Sequence, residues 1–187
     1  MNRFSQVFVL TTFIASAGTA LAGNHDPAAI IRLLGDAKFT LVEGVALAEK
    51  TYGPAISAKY EVGDDGKLAL SVYNVPEGLA VEPEKATLSE VGFDPTVETP
   101  VLSLEVFADK EHIARAASHM TLFRLSNISL TEVLKRASRA TGGTPIDARN
   151  PTVANGRPIV EVVLFDKNRQ PLTAVVDLLN GRVRRAK

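Results

Sequence analysis

Two segments of the chain repeat the same spacing of inward-facing positions. In residues 40–53 these positions step by four, three and four, and the same steps recur in residues 129–142. Side chains at such steps lie along one face of an α-helix. We therefore predict two helices that each bury one face, with Leu41, Val45, Ala48 and Tyr52 on the first face and Leu130, Leu134, Ala137 and Thr141 on the second.

Both predicted helices begin with a hydroxyl residue that is followed three positions later by a glutamate. In a capping box of this kind, the hydroxyl accepts the amide of the glutamate, and the carboxylate accepts the amide of the hydroxyl residue. Both segments also run into a glycine, which readily takes the left-handed conformation at a helix end. We predict two reciprocal capping boxes, Thr40 with Glu43 and Ser129 with Glu132, and two helix ends, Gly53 and Gly142.

A similar series of strand-like segments follows each helix. Alternation of apolar and polar residues predicts strands with one buried face, and a glycine in each intervening turn can supply a positive φ. The pattern indicates one module that occurs twice. Its matching parts are residues 56–62 and 146–153, the turns at Gly66 and Gly156, residues 70–73 and 160–163, and the third strands, 87–98 and 171–183, which end on Asp94 and Asp177.

Further elements are predicted outside the two copies. Residues 101–107 alternate like a strand, and Asp109 is a suitable N-cap for a helix over residues 110–120. Pro27 supports a lead-in helix within residues 26–36. The elements together predict an α+β fold with two tandem units, each a capped helix on an antiparallel sheet. Whether the two sheets merge or pack separately is left open by the pattern.

The repeated unit resembles the PepSY domain family. The second copy carries the resemblance best, in "SLTEVLKRASRATGGTPIDA", "GRPIVEVVLFD" and "AVVDLLNGRV". Asp177 and Gly181 stand where that family has its closing Asp-x-x-x-Gly-x-Val turn, whereas the first copy lacks a glycine after Asp94. The resemblance implies an envelope or secreted protein with cystatin-like units. It also implies a link to the propeptides of thermolysin-type peptidases, for which an inhibitory or chaperoning role is proposed.

The first 22 residues are typical of a secretory signal peptide. Arg3 precedes an apolar run over residues 4–14, and "ALA" ends at Ala22. The run is shorter than the roughly 20 residues that a membrane-spanning helix needs. We expect cleavage after Ala22 and export to the periplasm, with the medium as the alternative. The units then divide as residues 23–108, with the lead-in helix and an inserted loop, and residues 109–187, with the connecting helix.

Composition excludes several kinds of chemistry. The chain has 187 residues, no cysteine and a formal net charge of zero. Thiol nucleophiles and zinc–thiolate sites are therefore ruled out, and there is no electrostatic case for binding nucleic acid. His112 and His119 lie too far apart on one helix to grip one metal ion, and no histidine has an evident acidic partner. We predict no catalytic, metal or cofactor site and expect the protein not to be an enzyme.

Positive charge is concentrated in two stretches. Lys135, Arg136 and Arg139 share the second predicted helix, and the tail reads "GRVRRAK". These side chains are either a solvated helix face or a surface for an anion or an acidic partner.

The leading hypothesis is a non-enzymatic periplasmic protein that binds or modulates another envelope protein, such as a peptidase. The alternative is a carrier of a small ligand or lipid, with a cavity where Gly44, Ala46 and Ala48 leave room between helix and sheet. Oligomeric state is left open.

Overall fold

The computed structural model describes residues 27–63, 65–82, 85–107, 109–149 and 151–186. The predicted signal peptide and the cleavage after Ala22 lie outside these residues. None of the helices in the described ranges is both long enough and apolar enough to cross a membrane.

The helices lie where the sequence predicts them. The connecting helix α3 is longer than predicted, and it buries Ala116, Met120 and Phe123. A 3₁₀ turn, Leu34–Asp36, follows the lead-in helix α1. The helices are α1 Pro27–Leu33, α2 Leu41–Tyr52, α3 Lys110–Arg124 and α4 Leu130–Thr141.

The strands also follow the predicted order, with two differences in their limits and one additional strand, Val183–Arg185, that the pattern does not predict. The predicted strand over residues 146–153 is broken, because pairing stops after Ala148 and resumes at Thr152. The third strand of the first copy ends at Phe93, so Asp94 lies in the following turn and does not end the strand. The strands are β1 Ala55–Val62, β2 Leu68–Asn74, β3 Leu88–Phe93, β4 Ser103–Phe107, β5 Thr144–Ala148, β6 Thr152–Ala154, β7 Arg157–Phe165, β8 Pro171–Asp177 and β9 Val183–Arg185.

All nine strands in the described residues form one antiparallel sheet, which settles the question of merging. The order is β4-β3-β2-β1-β5-β7-β8-β9, and β6 pairs with β7 beside β5. The two halves join where Ala58 pairs with Ala148 and Lys59 with Asp147. Strands of each half therefore run outward from the centre in corresponding order, and β4 and β9 form the two edges.

Helices α2 and α4 lie side by side on one face of the sheet. Helix α2 contacts β1 and β2, and α4 contacts β5, β7 and β8. The predicted helix faces are confirmed at their first three positions, because Leu41, Val45 and Ala48 are fully buried, whereas the fourth positions, Tyr52 and Thr141, are half-buried. Their counterparts Leu130, Leu134 and Ala137 are fully buried as well. Beneath the helices, the sheet contributes a core of aliphatic side chains that includes Leu70, Val72, Val91, Val160, Val162 and Val176.

The caps agree with the prediction in the first copy and in part in the second. Thr40 and Glu43 form a complete capping box. At α4, Ser129 accepts the amide of Glu132 at 3.3 Å, but the prediction of a reciprocal box is wrong. The Glu132 carboxylate instead accepts hydrogen bonds from two arginine side chains further along the helix. The guanidinium groups offer charge-assisted bonds, which are stronger than a bond to a neutral amide.

Candidate functional site

Edge strand β4 is exposed from Ser103 to Val106, and Phe107 at its end is half-buried. Leu104 and Val106, on the face that α2 and α4 cover elsewhere, are 48% and 56% exposed. Glu105 points to the opposite face, since strand residues alternate between faces. An exposed edge with apolar side chains is a site at which another strand can pair.

The opposite face of this half of the sheet is acidic. Glu90 and Glu105 are directly opposite on β3 and β4. Burial raises the pKa of Tyr73, and a hydrogen bond to Glu90 together with the charges of Glu61 and Glu105 raises it further. Like charges that face each other across strands are destabilising. A cation beside Glu105 would therefore be favoured.

One carboxylate brings together two of the three predicted basic residues of α4. Arg136 Nε and Arg139 Nη2 both donate to Oε1 of Glu132, at 2.7 and 3.0 Å. The hydrogen bond from Arg136 is the main cause that lowers the pKa of Glu132. The side chain of Arg139 is 68% exposed, and Lys135 is exposed too. Two of the three predicted cations thus share an acid, while their outer surfaces face solvent.

The C-terminal strand adds positive charge to this surface. Arg185 Nη2 donates to the carbonyl of Thr141 at the end of α4, at 3.3 Å. The side chain of Arg136 lies directly over Gly181, where an added Cβ would be 1.9 Å from Nη1. Sequence spacing does not show this contact, because α4 and the tail are about 45 positions apart. We call Lys135, Arg136, Arg139 and Arg185 the α4–β9 basic surface.

More arginines lie on the opposite face of the same edge. They line a cavity of about 350 Å³ whose apolar floor includes Ile159 and Val175. One of them, Arg157, forms an ion pair with Asp177, and this hydrogen bond is the main cause that lowers the pKa of the Asp177 carboxyl. The other arginines that line the cavity are Arg182 and Arg184.

The expectation that no histidine has an acidic partner is wrong. His112 Nδ1 lies 2.7 Å from Oδ2 of Asp109, and the His112 ring stacks on Phe107 with centroids 4.5 Å apart. The other carboxylate oxygen accepts the His112 amide at 3.0 Å, as predicted for the N-cap of α3. Both side chains are more than a third exposed, so the pair caps a helix at the surface and is not enclosed.

The remaining candidates are the second histidine of α3, groups of possible metal ligands, and the space expected between α2 and the sheet. Burial lowers the pKa of His119. Within the described ranges, no group of three or more histidine, aspartate or glutamate residues could hold a metal ion. The space expected beneath Gly44 is filled, because a Cβ there would be 2.5 Å from Cδ1 of Leu70 and 3.1 Å from Cζ of Phe93.

Comparison with known proteins does not assign the chain to a family. No model of a known protein family matches it, and no curated protein matches it. Among solved structures, a candidate lipoprotein from Clostridium difficile 630 is similar over 80% of this chain and 95% of that one, with 13% identity and a TM-score of 0.39. The likeness is too low to carry an inference about fold or function.

Proposed function

We propose that the protein is a non-enzymatic protein of the bacterial periplasm that binds another envelope protein. In this proposal, the two halves of the sheet with their helices are tandem PepSY-like, cystatin-like units. The absence of cysteine and the surface position of the Asp109–His112 pair support a binding role over a catalytic one. The medium is the alternative location.

The observation that carries the proposal is the α4–β9 basic surface. Among the described residues it holds four cations, and the Glu132 carboxylate that lies among them is already bonded to Arg136 and Arg139. The positive charge therefore exceeds what the local acid neutralises. Arginine forks bind carboxylates in a bidentate manner, so an acidic surface of another protein is the partner chemistry that fits.

Charge reversal on the exposed part of this surface tests the proposal. The variant Lys135→Glu with Arg139→Glu keeps Arg136 and its contact with Gly181. Lys50→Glu is the matched control, because Lys50 is exposed and holds the position in α2 that corresponds to Arg139 in α4. Wild type and control, immobilised and exposed to periplasmic extract, should retain the same partner, and the double variant should lose it. Equal retention by all three would contradict the proposal.

A peptidase is the partner class that the PepSY resemblance suggests. Purified protein should slow hydrolysis of a peptide substrate by a thermolysin-type peptidase from the same organism, or raise the refolding yield of that peptidase. The double variant should have a weaker effect in either assay. Unchanged hydrolysis and unchanged refolding would remove peptidases as the partner and leave other envelope proteins.

The carrier of a small ligand or lipid stays the alternative prediction. Close packing at Gly44 removes one of the spaces on which it depended. Native mass spectrometry of the protein purified from its own host is the test. A bound small molecule of constant mass would favour the carrier over the protein-binding role.

A further inference from the structure

We propose that the protein associates with itself by adding edge β4 of one copy to edge β9 of the next, which continues the sheet from chain to chain. This association uses Arg185 of the α4–β9 basic surface but not Lys135 or Arg139, so variants of Lys135 and Arg139 separate it from binding of the proposed partner. The occupant of each exposed edge is therefore a second copy of this chain. The proposal rests on the backbone groups that the two edges present, on strand direction and on complementary charge.

The free edge of β9 is defined by its bonds to β8. In an antiparallel pair, alternate residues exchange backbone bonds with the neighbour, and the residues between them point the other way. The amide of Ala186 donates to the carbonyl of Thr173, and the amide of Asp177 donates to the carbonyl of Arg182, both at 2.9 Å. The backbone groups of the even-numbered residues of β9 therefore point toward β8. The backbone groups of Val183 and Arg185 point away from the sheet.

The free edge of β4 follows from the first hairpin. The amide of Gly63 donates to the carbonyl of Lys67 at 2.9 Å. Along each strand, residues whose backbone groups bond to one neighbouring strand alternate with residues whose backbone groups bond to the other. When this alternation is followed from β1 through β2 and β3, the backbone groups of the odd-numbered residues of β4 point toward β3. The carbonyl of Gly92 agrees, since it faces β4 and accepts a side-chain bond from that strand at 2.9 Å. The backbone groups of Leu104 and Val106 therefore point away from the sheet.

Strand direction allows these edges to pair without turning a copy over. Seven antiparallel steps separate β4 from β9 in the sheet order, so the two strands run in opposite directions. A second copy translated past β9 thus presents its β4 antiparallel to it. Its α2 and α4 then lie on the same side of the continued sheet as those of the first copy.

One register pairs all the outward-pointing backbone groups of β9 with those of β4 in the next copy. In this register the side chains that come opposite each other are also complementary. Glu105 comes opposite Arg184 at a position that is not hydrogen-bonded, where cross-strand side chains are closest. Both residues lie on the face opposite α2 and α4, because cross-strand pairing together with alternation along each strand places them on the same face as Lys59 and Asp147. The remaining pairs are Val106 with Val183, Leu104 with the aliphatic part of Arg185, and Phe107 with Arg182.

Pairing of like edges is less favourable. When two β4 strands pair across a two-fold axis with Leu104 opposite Val106, Glu105 faces its own copy. Two β9 strands paired in the same way place Arg184 opposite Arg184. Each arrangement sets like charges directly opposite, which is destabilising. The mixed contact is head-to-tail and does not close on itself, so it adds further copies.

Sedimentation of the purified full-length mature chain over a range of concentrations tests this proposal. The weight-average mass should rise with concentration beyond that of a dimer, and it should fall with added salt. Glu105→Arg and Arg184→Glu should each raise the dissociation constant about tenfold, since each replaces an attraction by a repulsion. The double variant Glu105→Arg with Arg184→Glu should restore association, because it rebuilds the pair with its charges exchanged.

A backbone variant and a surface control complete the experiment. Val106→Pro removes one outward amide while leaving the bonds of β4 to β3, so it should also prevent association. Lys135→Glu with Arg139→Glu should associate as wild type does, which separates this contact from partner binding. Circular dichroism of each variant confirms its fold. A monomer at all concentrations, a closed dimer, or association that neither charge exchange nor proline changes would overturn the proposal.

Discussion

The hydroxyl of Thr131, in the first turn of α4, donates a 2.6 Å hydrogen bond to Oε2 of Glu49 on α2. The two helices thus meet through a polar contact above the sheet. In the sheet itself, the two halves meet where Ala58 pairs with Ala148. Oε1 of Glu49 is buried and has no hydrogen-bond partner among the described residues. The hydroxyl of Thr131 is therefore the donor that satisfies the Glu49 carboxylate, through Oε2.

Thr131→Val should lower the free energy of unfolding by about 1–3 kcal/mol, because it leaves a second oxygen of this part-buried carboxylate without its donor. Valine keeps the shape of threonine, so packing changes little. Urea denaturation followed by circular dichroism measures the loss. Thr131→Ser keeps the hydroxyl and should lose less stability. A valine variant as stable as wild type would show that the bond contributes nothing to the joining of the halves.

Gly44→Ala should destabilise the protein even though alanine favours helix. The added Cβ would be 2.5 Å from Cδ1 of Leu70, a side chain that is fully buried and has little freedom to move. Overpacking of this kind costs about 1–3 kcal/mol, while the helix gains about 1 kcal/mol. Thermal unfolding should show a lower midpoint.

Gly35→Ala is the matched control for that variant. Nothing lies within 4 Å of a Cβ at Gly35, so its unfolding midpoint should stay at or slightly above that of wild type. If the unfolding midpoint of Gly44→Ala equals that of Gly35→Ala, the interface between α2 and the sheet has space for a methyl group at Gly44. That result would favour the carrier alternative.

Gly181→Ala should destabilise the turn after β8 for two separable reasons. The backbone φ of Gly181 is 67°, which costs an alanine about 1–2 kcal/mol. An added Cβ would also displace the guanidinium of Arg136, which lies above it. In the background of Arg136→Ala only the backbone cost should remain. A double-mutant cycle measured by urea denaturation should therefore be non-additive, and additivity would mean that Arg136 does not press on this glycine.

The helices and their faces could be predicted because their signals are local. Thr40 and Ser129 cap helices within four residues of themselves, and the apolar steps after them specify the buried side. The prediction of a reciprocal capping box at Ser129 was wrong for an equally local reason. Glu132 has arginines four and seven positions later on the same helix, and these charged donors take its carboxylate.

The joining of the sheets and the assembly of the basic surface could not be predicted in the same way. Between β1 and β5, Ala58 pairs with Ala148 and Lys59 with Asp147, and those residues are about 90 positions apart in the chain. Arg185 reaches Thr141 only after β9 has paired with β8. The sequence therefore indicated the charged stretches but not that α4 and the tail form one surface.

Asp177 should make the stability of the protein depend on pH in the acid range. Its carboxylate pairs with Arg157 and accepts the amides of Leu179 and Asn180 at 2.9 and 3.3 Å, and these bonds lower its pKa. A lowered folded-state pKa stabilises the protein fully above the unfolded-state value of about 3.9, and the stabilisation is lost as pH falls from there through the folded-state pKa. Asp177→Asn keeps an acceptor oxygen for the turn but carries no charge. Urea denaturation at pH 7, 5, 4 and 3 should show the stability difference between wild type and this variant shrinking at the two lowest values. A difference that stays constant down to pH 3 would show that the charge of Asp177 does not stabilise the fold.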